Sequence, residues 1–391
     1  MNLESTLLQF EHDFNALLAC APPSRAQTLL ASADHVYLLA PTSLMGLTFA
    51  PILARRLTEQ GKRVFLVDDL YAAQGDHWQE WPVLSSDVFV SQAFGQSAAV
   101  SVNMSSAPFA HGYFSQLSAR AQMAELDMVP VLDVLDVPVV YQTASAMRAQ
   151  TIARADDYRK LARRLADPLS IKTLLAMLTL RLNFDRTALL PILCSPEDEY
   201  FASYPGGSTD TFKLGEKEVL CDIGAHVGTT VRKFVTATRW QYAAIHAFEP
   251  DIENFAHLEK NYSAKLENFQ AHNIALSDAR STMRFSQTGT MGSRLDSDGN
   301  TEIQVLPLDE VLDYATFIKM DVEGHETGVL RGARKLIQNH KPRLAVTGYH
   351  FADDLLDIAD LVLDLEPEYQ LRLRQHYFYY YDSILYAQVL S

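Results

Sequence analysis

The chain has 391 residues, of which 48% are hydrophobic and 21% charged, and its formal net charge at pH 7 is −15. This length exceeds what one hydrophobic core usually organises, so we expect two domains, and the apolar content excludes an intrinsically disordered chain. The excess of acidic residues, without clusters of lysine and arginine, argues against a nucleic-acid-binding surface.

The cysteines and the apolar segments indicate the compartment. Cys20, Cys194 and Cys221 are far apart and form no C-x-x-C pair, which argues against a zinc site or a disulfide framework. The first residues lack the charged and then apolar layout of a signal peptide, and no apolar run reaches membrane-spanning length. We therefore predict a soluble, cytoplasmic protein that binds neither nucleic acid nor a membrane.

The amino-terminal part predicts a small Rossmann-like α/β domain over residues 1–143. An amphipathic helix (3–18) precedes a strand (35–40), a helix (46–60) and a second strand (63–67), which is a βαβ-like beginning. Further strand-like runs extend this sheet, at residues 87–91, 98–104 and 137–141.

The turn after the first of these strands differs from a dinucleotide-binding turn. Ala40, Pro41 and Ser43 stand where such turns carry glycine, and only Gly46 remains. Asp68 is placed to bind a ribose, but the turn lacks the glycines that would bring backbone N–H groups to a phosphate. A scaffolding, oligomerising or acceptor-presenting role is therefore favoured over cofactor binding, and a homodimer is compatible with it.

The rest of the chain predicts a helical connector (144–205) and a second α/β domain (206–391), with a turn-rich boundary at 203–210. Beyond the boundary, strands and helices alternate, which indicates a mostly parallel, doubly wound sheet. The last two strands are joined by a brief turn and predict an antiparallel hairpin at the sheet edge. The predicted strands of this sheet are 219–223, 244–249, 269–274, 317–321, 344–349, 369–376 and 383–389.

The strongest functional signal is the turn after the first strand of the second domain. Asp222, Gly224 and Gly228 form a D-x-G-x-x-x-G pattern between a strand and a helix, where glycine lets a ligand approach the backbone. Glu249 ends the next strand, where a carboxylate can accept both hydroxyls of an adenosine ribose. Asn273 ends the third strand and either meets the adenine edge or is a turn residue. These features predict a nucleoside-binding pocket without a Walker loop.

Taken together, these segments resemble the FkbM family of class I methyltransferases over residues 216–388. The resemblance implies a seven-stranded sheet, S-adenosylmethionine as methyl donor and an oxygen acceptor on a small molecule, sugar or glycan. The segments that carry it are 222–228, 248–250, 275–278, 317–326, 329–334, 341–342 and 349–350. The residues predicted to bind the cofactor are Asp222, Gly224, Ala225, His226, Gly228, Glu249, Pro250, Asn273, Ile274 and Asp278.

The predicted catalytic residues are Asp321, Glu323 and His350. Methyl transfer is an in-line displacement that depends on alignment, and a general base helps because an alcohol is a poor nucleophile. Asp321 and His350 end neighbouring strands, whereas Glu323 lies before a helix, where the helix dipole alone also favours a carboxylate. Glu326 is interpreted as a helix cap and His325 as a surface residue.

Several alternatives stay open. Asp321, Glu323 and His350 could instead converge on a divalent metal, although we favour a site without one. The glycine-rich segment 286–295 could close over the acceptor, with Arg294 meeting an anionic group, and the aromatic run 377–381 is expected to cover the sheet. A non-catalytic nucleoside- or nucleotide-sugar-binding protein is the second functional hypothesis, and an NADH-dependent dehydrogenase is the third.

Overall fold

The computed structural model describes residues 2–202, 212–287, 292–295 and 297–389. The predicted boundary turn at 203–210 lies outside the described residues, as does the centre of the 286–295 segment. The helices are α1 (Leu3–Leu18), α2 (Arg25–Ser32), α3 (Leu44–Glu59), α4 (Asp69–Ala72), α5 (Ser86–Ala93), α6 (Pro108–Arg120), α7 (Met128–Val134), α8 (Ala144–Ala153), α9 (Ala155–Arg164), α10 (Pro168–Asn183), α11 (Thr229–Ala237), α12 (Ile252–Tyr262), α13 (Glu326–Gly332), α14 (Arg334–His340) and α15 (Asp354–Leu365).

The strands form three sheets. They are β1 (His35–Leu39), β2 (Arg63–Val67), β3 (His77–Trp78), β4 (Trp81–Leu84), β5 (Ala99–Asn103), β6 (Ala124–Asp127), β7 (Val219–Ile223), β8 (Ala244–Phe248), β9 (Phe269–His272), β10 (Ala275–Leu276), β11 (Ser281–Ser286), β12 (Arg294–Leu295), β13 (Thr301–Leu306), β14 (Phe317–Met320), β15 (Arg343–Thr347), β16 (Gln370–Gln375) and β17 (Ser383–Gln388). No helix in the described part of the chain has the length and apolarity needed to cross a membrane.

The amino-terminal sheet has the order β3-β4-β2-β1-β5-β6 and is parallel except for β3. The predicted βαβ beginning is confirmed, but two predicted strands are wrong. Residues 87–91 lie in helix α5, because the Ser85 side chain caps it by accepting a hydrogen bond from the Val88 N–H. Residues 137–141 are irregular, with the Val139 N–H donating to the Gln142 carbonyl.

Helices α8, α9 and α10 lie within residues 144–205, the predicted connector. Helix α1 packs against α9 and α10 of this region. Glu11 of α1 pairs with Arg159 and Arg163 of α9, and the Arg159 guanidinium lies 5.3 Å from the centre of the Phe14 ring. The first helix of the chain thus stabilises the connector.

The carboxyl-terminal sheet has seven strands in the order β16-β17-β15-β14-β7-β8-β9. Five of its strands, β15, β14, β7, β8 and β9, are parallel to one another. Strands β16 and β17 form the antiparallel hairpin at the other edge, as predicted. A four-stranded sheet, β10-β13-β11-β12, is inserted after β9. The insertion places β12 beside the carboxyl ends of the parallel strands, where ligands bind in such folds.

One hydrophobic core runs through both halves of the chain. It includes Leu38 of the first sheet, Leu174 of the connector and Ile318 of the second sheet. Arg186, whose side chain is 0% exposed, joins the halves: it pairs with Asp127 at 2.7 Å and lies over the Phe378 ring. A buried arginine is tolerated here because carboxylate and backbone carbonyl oxygens satisfy its donors.

Candidate active site

A cavity of about 700 Å³ lies at the carboxyl ends of β7, β8 and β14. The second domain contributes Gly224, Glu249 and Asp321 to its lining. The amino-terminal half contributes Met45 of α3 and Tyr141. The cavity is therefore large enough for a nucleoside and a second small molecule, and both halves of the chain line it.

The glycine turn after β7 is tight because the backbone of a neighbouring strand end touches it. Gly224 has a φ of +77°, and a Cβ there would lie 1.8 Å from the Asp321 carbonyl oxygen. The Gly224 and Ala225 N–H groups both donate to the Phe248 carbonyl at 3.0 Å. Gly224, Ala225 and His226 all line the cavity, so the predicted glycine turn faces it.

Glu249 is held rigidly at the cavity wall. Its Oε2 accepts a hydrogen bond from the His226 N–H at 2.7 Å, and its Oε1 accepts one from the Asp251 N–H at 2.9 Å. Each carboxylate oxygen has a further lone pair, which can accept from a ligand hydroxyl. Burial raises the pKa of Glu249 to about 7.

The remaining predicted cofactor residues divide into two groups. Pro250 and Ile274 line the cavity, but the other four do not. Asp222 is buried and pairs with Lys319 at 3.2 Å, and Lys319 in turn donates to the Gly224 carbonyl and lines the cavity. The four residues set back from the cavity surface are Asp222, Gly228, Asn273 and Asp278.

Asn273 and Gly228 support the turns instead. The Asn273 amide donates to the carbonyl oxygens of Glu249 and Pro250, at 2.9 and 3.0 Å, so it acts as the turn residue that the sequence left open. A Cβ on Gly228 would lie 2.2 Å from the Tyr262 ring. Asp278 is exposed.

Asp321 and Glu323 line the cavity, whereas His350 lies behind them and is 0% exposed. His350 Nε2 is 3.4 Å from Asp321 Oδ1 and 3.3 Å from Glu323 Oε2. Burial alone would lower the pKa of His350, but the carboxylates of Glu326, Glu323 and Asp321 raise it well above its ordinary value. Because its ring is buried behind the carboxylates and does not line the cavity, His350 does not reach the acceptor as a base, which corrects the predicted direct role.

Glu326 and His325 also differ from the predictions. Glu326 Oε1 accepts from the N–H groups of Val322 and Gly324, at 3.1 and 3.3 Å, and lies 3.3 Å from His350 Nδ1. It thus holds the loop before α13 as well as the histidine. His325 is half-buried, lines the cavity and bonds to Ser277 Oγ through Nε2, so its interpretation as a surface residue is wrong.

Comparison with known proteins bears on this site. Residues 222–371 match the family described as the methyltransferase FkbM domain. The whole chain is similar to the crystal structure of methyltransferase FkbM from Methylobacillus flagellatus, with a TM-score of 0.78 and 24% identity, over 99% of this chain and 100% of that chain. It is also similar to the hexuronic acid methyltransferase AglP of Haloferax volcanii, with 24% identity over 155 residues. That match covers 38% of this chain and only 62% of the relative's length.

Residues 222–371 thus match the methyltransferase FkbM domain, and this segment is called the FkbM domain below. The family resemblance predicted from the sequence is confirmed, and the Methylobacillus structure shows that the fold of both halves is shared. The matched residues include Asp222, Gly224 and Glu249, and also Asp321, Glu323, Glu326 and His350.

Other residues of the FkbM domain and its surroundings line the cavity although no sequence motif indicated them. Tyr200 donates its hydroxyl to Asp321 Oδ2 at 3.2 Å, and Glu199 and Asp382 lie in the same wall. These residues come from distant segments, so their spacing carries no signal. In the aromatic run 377–381, the middle residues are buried as expected, but Tyr377 and Tyr381 line the cavity.

The FkbM domain also contains the group of side chains closest to a metal-site arrangement among the described residues. Asp321, Glu326 and His350 have potential ligand atoms within 4.8 Å of one another, so Glu326 replaces Glu323 of the predicted alternative. The two ring nitrogens of His350 face different carboxylates, Nδ1 towards Glu326 and Nε2 towards Asp321. The ring therefore lies between two carboxylates, with one nitrogen facing each.

In the Rossmann-like amino-terminal half, Asp68 is already hydrogen-bonded to neighbouring residues of that half. Asp68 Oδ1 accepts from the N–H groups of Leu70 and Tyr71, and Oδ2 accepts from the Thr42 hydroxyl. A Cβ on Gly46 would lie 2.2 Å from the Ala40 carbonyl oxygen, so this glycine serves packing. These contacts support the prediction of a role other than dinucleotide binding.

Proposed function

We propose that this protein transfers a methyl group from S-adenosylmethionine to a hydroxyl group of a sugar or another small molecule. The observation that carries the proposal is the position of Glu249: a buried carboxylate with acceptor capacity, beside the Gly224 turn and in the same cavity as Asp321. The shared FkbM domain and the methyltransferase names of the two relatives support the reaction class.

The residues present fit the cofactor. Glu249 would accept hydrogen bonds from the ribose hydroxyls, and the backbone at Gly224 leaves room that a larger residue would fill. Ile274 and Phe248 offer apolar surface for the adenine in the same cavity. When bound, S-adenosylmethionine supplies a methyl group on a positively charged sulfur, which leaves as a neutral thioether.

Asp321 is the proposed general base. Its Oδ2 accepts from Tyr200 and its Oδ1 accepts from Thr347, which fixes the carboxylate at the cavity wall. Burial raises the pKa of Asp321, while Lys319 and His350 oppose that rise. As the acceptor oxygen bonds to the methyl carbon, the hydroxyl proton would pass to this carboxylate. Glu323, in the same wall, would orient the acceptor through a second hydrogen bond.

A sugar acceptor, and a hexuronic acid in particular, is our proposal for the substrate. The cavity wall combines carboxylates with tyrosines, which together suit a ring that carries several hydroxyl groups. Arg294 also lines the cavity and offers a cationic group for a carboxylate. The similarity to a hexuronic acid methyltransferase points to the same chemistry.

Calorimetric titration tests the cofactor. S-adenosylmethionine and S-adenosylhomocysteine should bind to the wild type, and Glu249→Ala should weaken both about 100-fold, because two hydrogen bonds to a charged group are lost. Glu249→Gln keeps the side-chain volume and should weaken binding less. Glu253→Ala removes an exposed carboxylate four residues away and serves as the control.

The same titrations identify the alternatives. Binding of NADH alone would overturn the proposal and favour a dehydrogenase. Binding of S-adenosylmethionine without transfer of its tritiated methyl group to any of a panel of hexoses, hexuronic acids and nucleotide sugars would contradict the proposed sugar acceptor and favour the non-catalytic hypothesis.

The affinity for S-adenosylmethionine should depend on pH. Ribose hydroxyls donate to Glu249 and so favour its ionised form, which lowers its pKa in the complex below the value of about 7 in the free protein. Binding should then weaken about tenfold per pH unit below pH ~7 and level off above pH ~8. Calorimetry in buffers of different ionisation enthalpy should show proton release near pH ~6.5. The same pH dependence in Glu249→Gln would contradict this assignment.

A further inference from the structure

Tyr141 belongs to neither the FkbM domain nor any motif, yet it lines the cavity beside Glu323. It is part of the irregular segment between α7 and α8, and the second domain holds this segment from both sides. The Tyr379 hydroxyl donates to the Val139 carbonyl at 3.0 Å, and the Ala352 N–H donates to Gln142 Oε1 at 3.0 Å. These two bonds hold Tyr141 in place relative to the FkbM domain.

The Tyr141 side chain contacts three elements of the site. Its hydroxyl donates to Glu323 Oε2 at 2.5 Å. Its ring lies nearly parallel to that of His350, with centroids 6.1 Å apart and an interplanar angle of 22°, and it packs against Phe351. On its other side, the Arg294 guanidinium lies 4.3 Å from the ring centre. One side chain thus connects β12, the catalytic carboxylates and the buried histidine.

Glu323 has an unusual backbone conformation, which the surrounding contacts must hold in place. Its φ is +57°, a region that non-glycine residues seldom adopt, and Gly324 follows with a φ of +95°. Gly324 packs so closely against the Phe351 ring that a Cβ would lie 2.4 Å from it. The described contacts of the Glu323 carboxylate are those with His350 Nε2 and with the Tyr141 hydroxyl, and both involve the same oxygen, Oε2.

We propose that Tyr141 is a positioning residue for methyl transfer: it fixes Oε2 of Glu323 against His350 and thereby directs Oε1 to the acceptor hydroxyl. This inference rests on the proposed function, because it assigns the acceptor side of the same cavity. It also gives the amino-terminal half a defined task, namely to complete the site around a carboxylate that the FkbM domain supplies. Burial and the neighbouring Glu323 raise the pKa of Tyr141, so its hydroxyl remains a neutral donor throughout the assay range.

The test is a double-mutant cycle with Tyr141→Phe and Glu323→Ala, assayed with D-glucuronate as acceptor and tritiated S-adenosylmethionine. Tyr141→Phe keeps the ring against His350 and under Arg294 and removes only the hydroxyl. It should lower kcat about 10- to 30-fold and leave the KM for S-adenosylmethionine within about twofold, since the ribose end of the site is unchanged. The double variant should be no slower than Glu323→Ala alone, because Tyr141 acts through Glu323.

The control is Tyr37→Phe, which removes a hydroxyl hydrogen bond from β1 to Gln96, between α5 and β5, and should leave kcat unchanged. An unchanged kcat in Tyr141→Phe, or losses that multiply in the double variant, would overturn the inference. A merely structural role would change the KM for S-adenosylmethionine together with kcat.

If the wild type does not methylate glucuronate, the proposed acceptor fails, but the same four proteins still test Tyr141 through thermal unfolding in the presence of S-adenosylhomocysteine. The two single variants should then lower the midpoint by amounts that do not add in the double variant. Additive shifts would show that the bond between Tyr141 and Glu323 is absent, and the inference would fall with it.

Discussion

Asp321→Asn should lower kcat by about 10²- to 10⁴-fold, the usual contribution of a general base, and leave the affinity for S-adenosylmethionine within about threefold. The amide keeps the shape of the carboxylate, but its single oxygen can accept from only one of Tyr200 and Thr347, and it cannot take the acceptor proton. Calorimetry and single-turnover methyl transfer measure the two effects separately.

The matched control for this variant is Asp364→Asn, which changes an exposed carboxylate on α15. It should retain full activity. If Asp321→Asn turned over at the wild-type rate, the proton would have to leave by another route, and the assignment of the base would be withdrawn. A parallel loss of cofactor affinity would instead assign Asp321 to the cofactor.

Gly224→Ala should abolish cofactor binding and lower the free energy of unfolding by at least about 4 kcal/mol. The new Cβ would lie 1.8 Å from the Asp321 carbonyl oxygen, so β7 and β14 would have to separate at the carboxyl ends that form the site. Chemical denaturation and titration with S-adenosylhomocysteine check the two parts of this expectation.

The control variant Gly61→Ala shows how much of the effect of Gly224→Ala comes from steric overlap and how much from backbone strain. Gly61 has a φ of +79°, close to that of Gly224, but no atom lies within 4 Å of a Cβ built there. This variant should cost only about 1 kcal/mol, the ordinary penalty of a left-handed residue, and should bind the cofactor normally. Equal losses in the two variants would show that conformation, rather than contact with Asp321, makes Gly224 necessary.

The carboxyl-terminal sheet could be predicted because each central strand is a short apolar run bounded by a turn or helix signal. The run 219–223 coincides with β7, and 244–249 overshoots β8 by one residue. The strand prediction for residues 87–91 is wrong because their short apolar run competes with the Ser85 cap, and the cap starts a helix. Residues 137–141 are apolar because they pack between the two halves, a reason that no local pattern reveals.

The residues of the candidate site that directly follow a strand could be predicted from the sequence. Glu249 and Asp321 lie directly after β8 and β14, and the parallel sheet brings these ends together. Tyr141 and Tyr200 could not be predicted, because tertiary packing alone brings their segments to the cavity. His350 was predicted on the same rim, but β15 ends at Thr347, and the three further residues turn its ring into the interior.

The hydrophobic cluster that joins the two sheets has a consequence for protein engineering and for the evolution of such enzymes. A recombination point between the halves would divide this cluster, which includes Leu38, Leu174 and Ile318, and would leave the Arg186 guanidinium without Asp127. A transplanted FkbM domain would also arrive without Tyr141. New acceptor preferences are therefore better sought by exchanging side chains along the cavity than by shuffling domains, because both halves of the chain line the cavity.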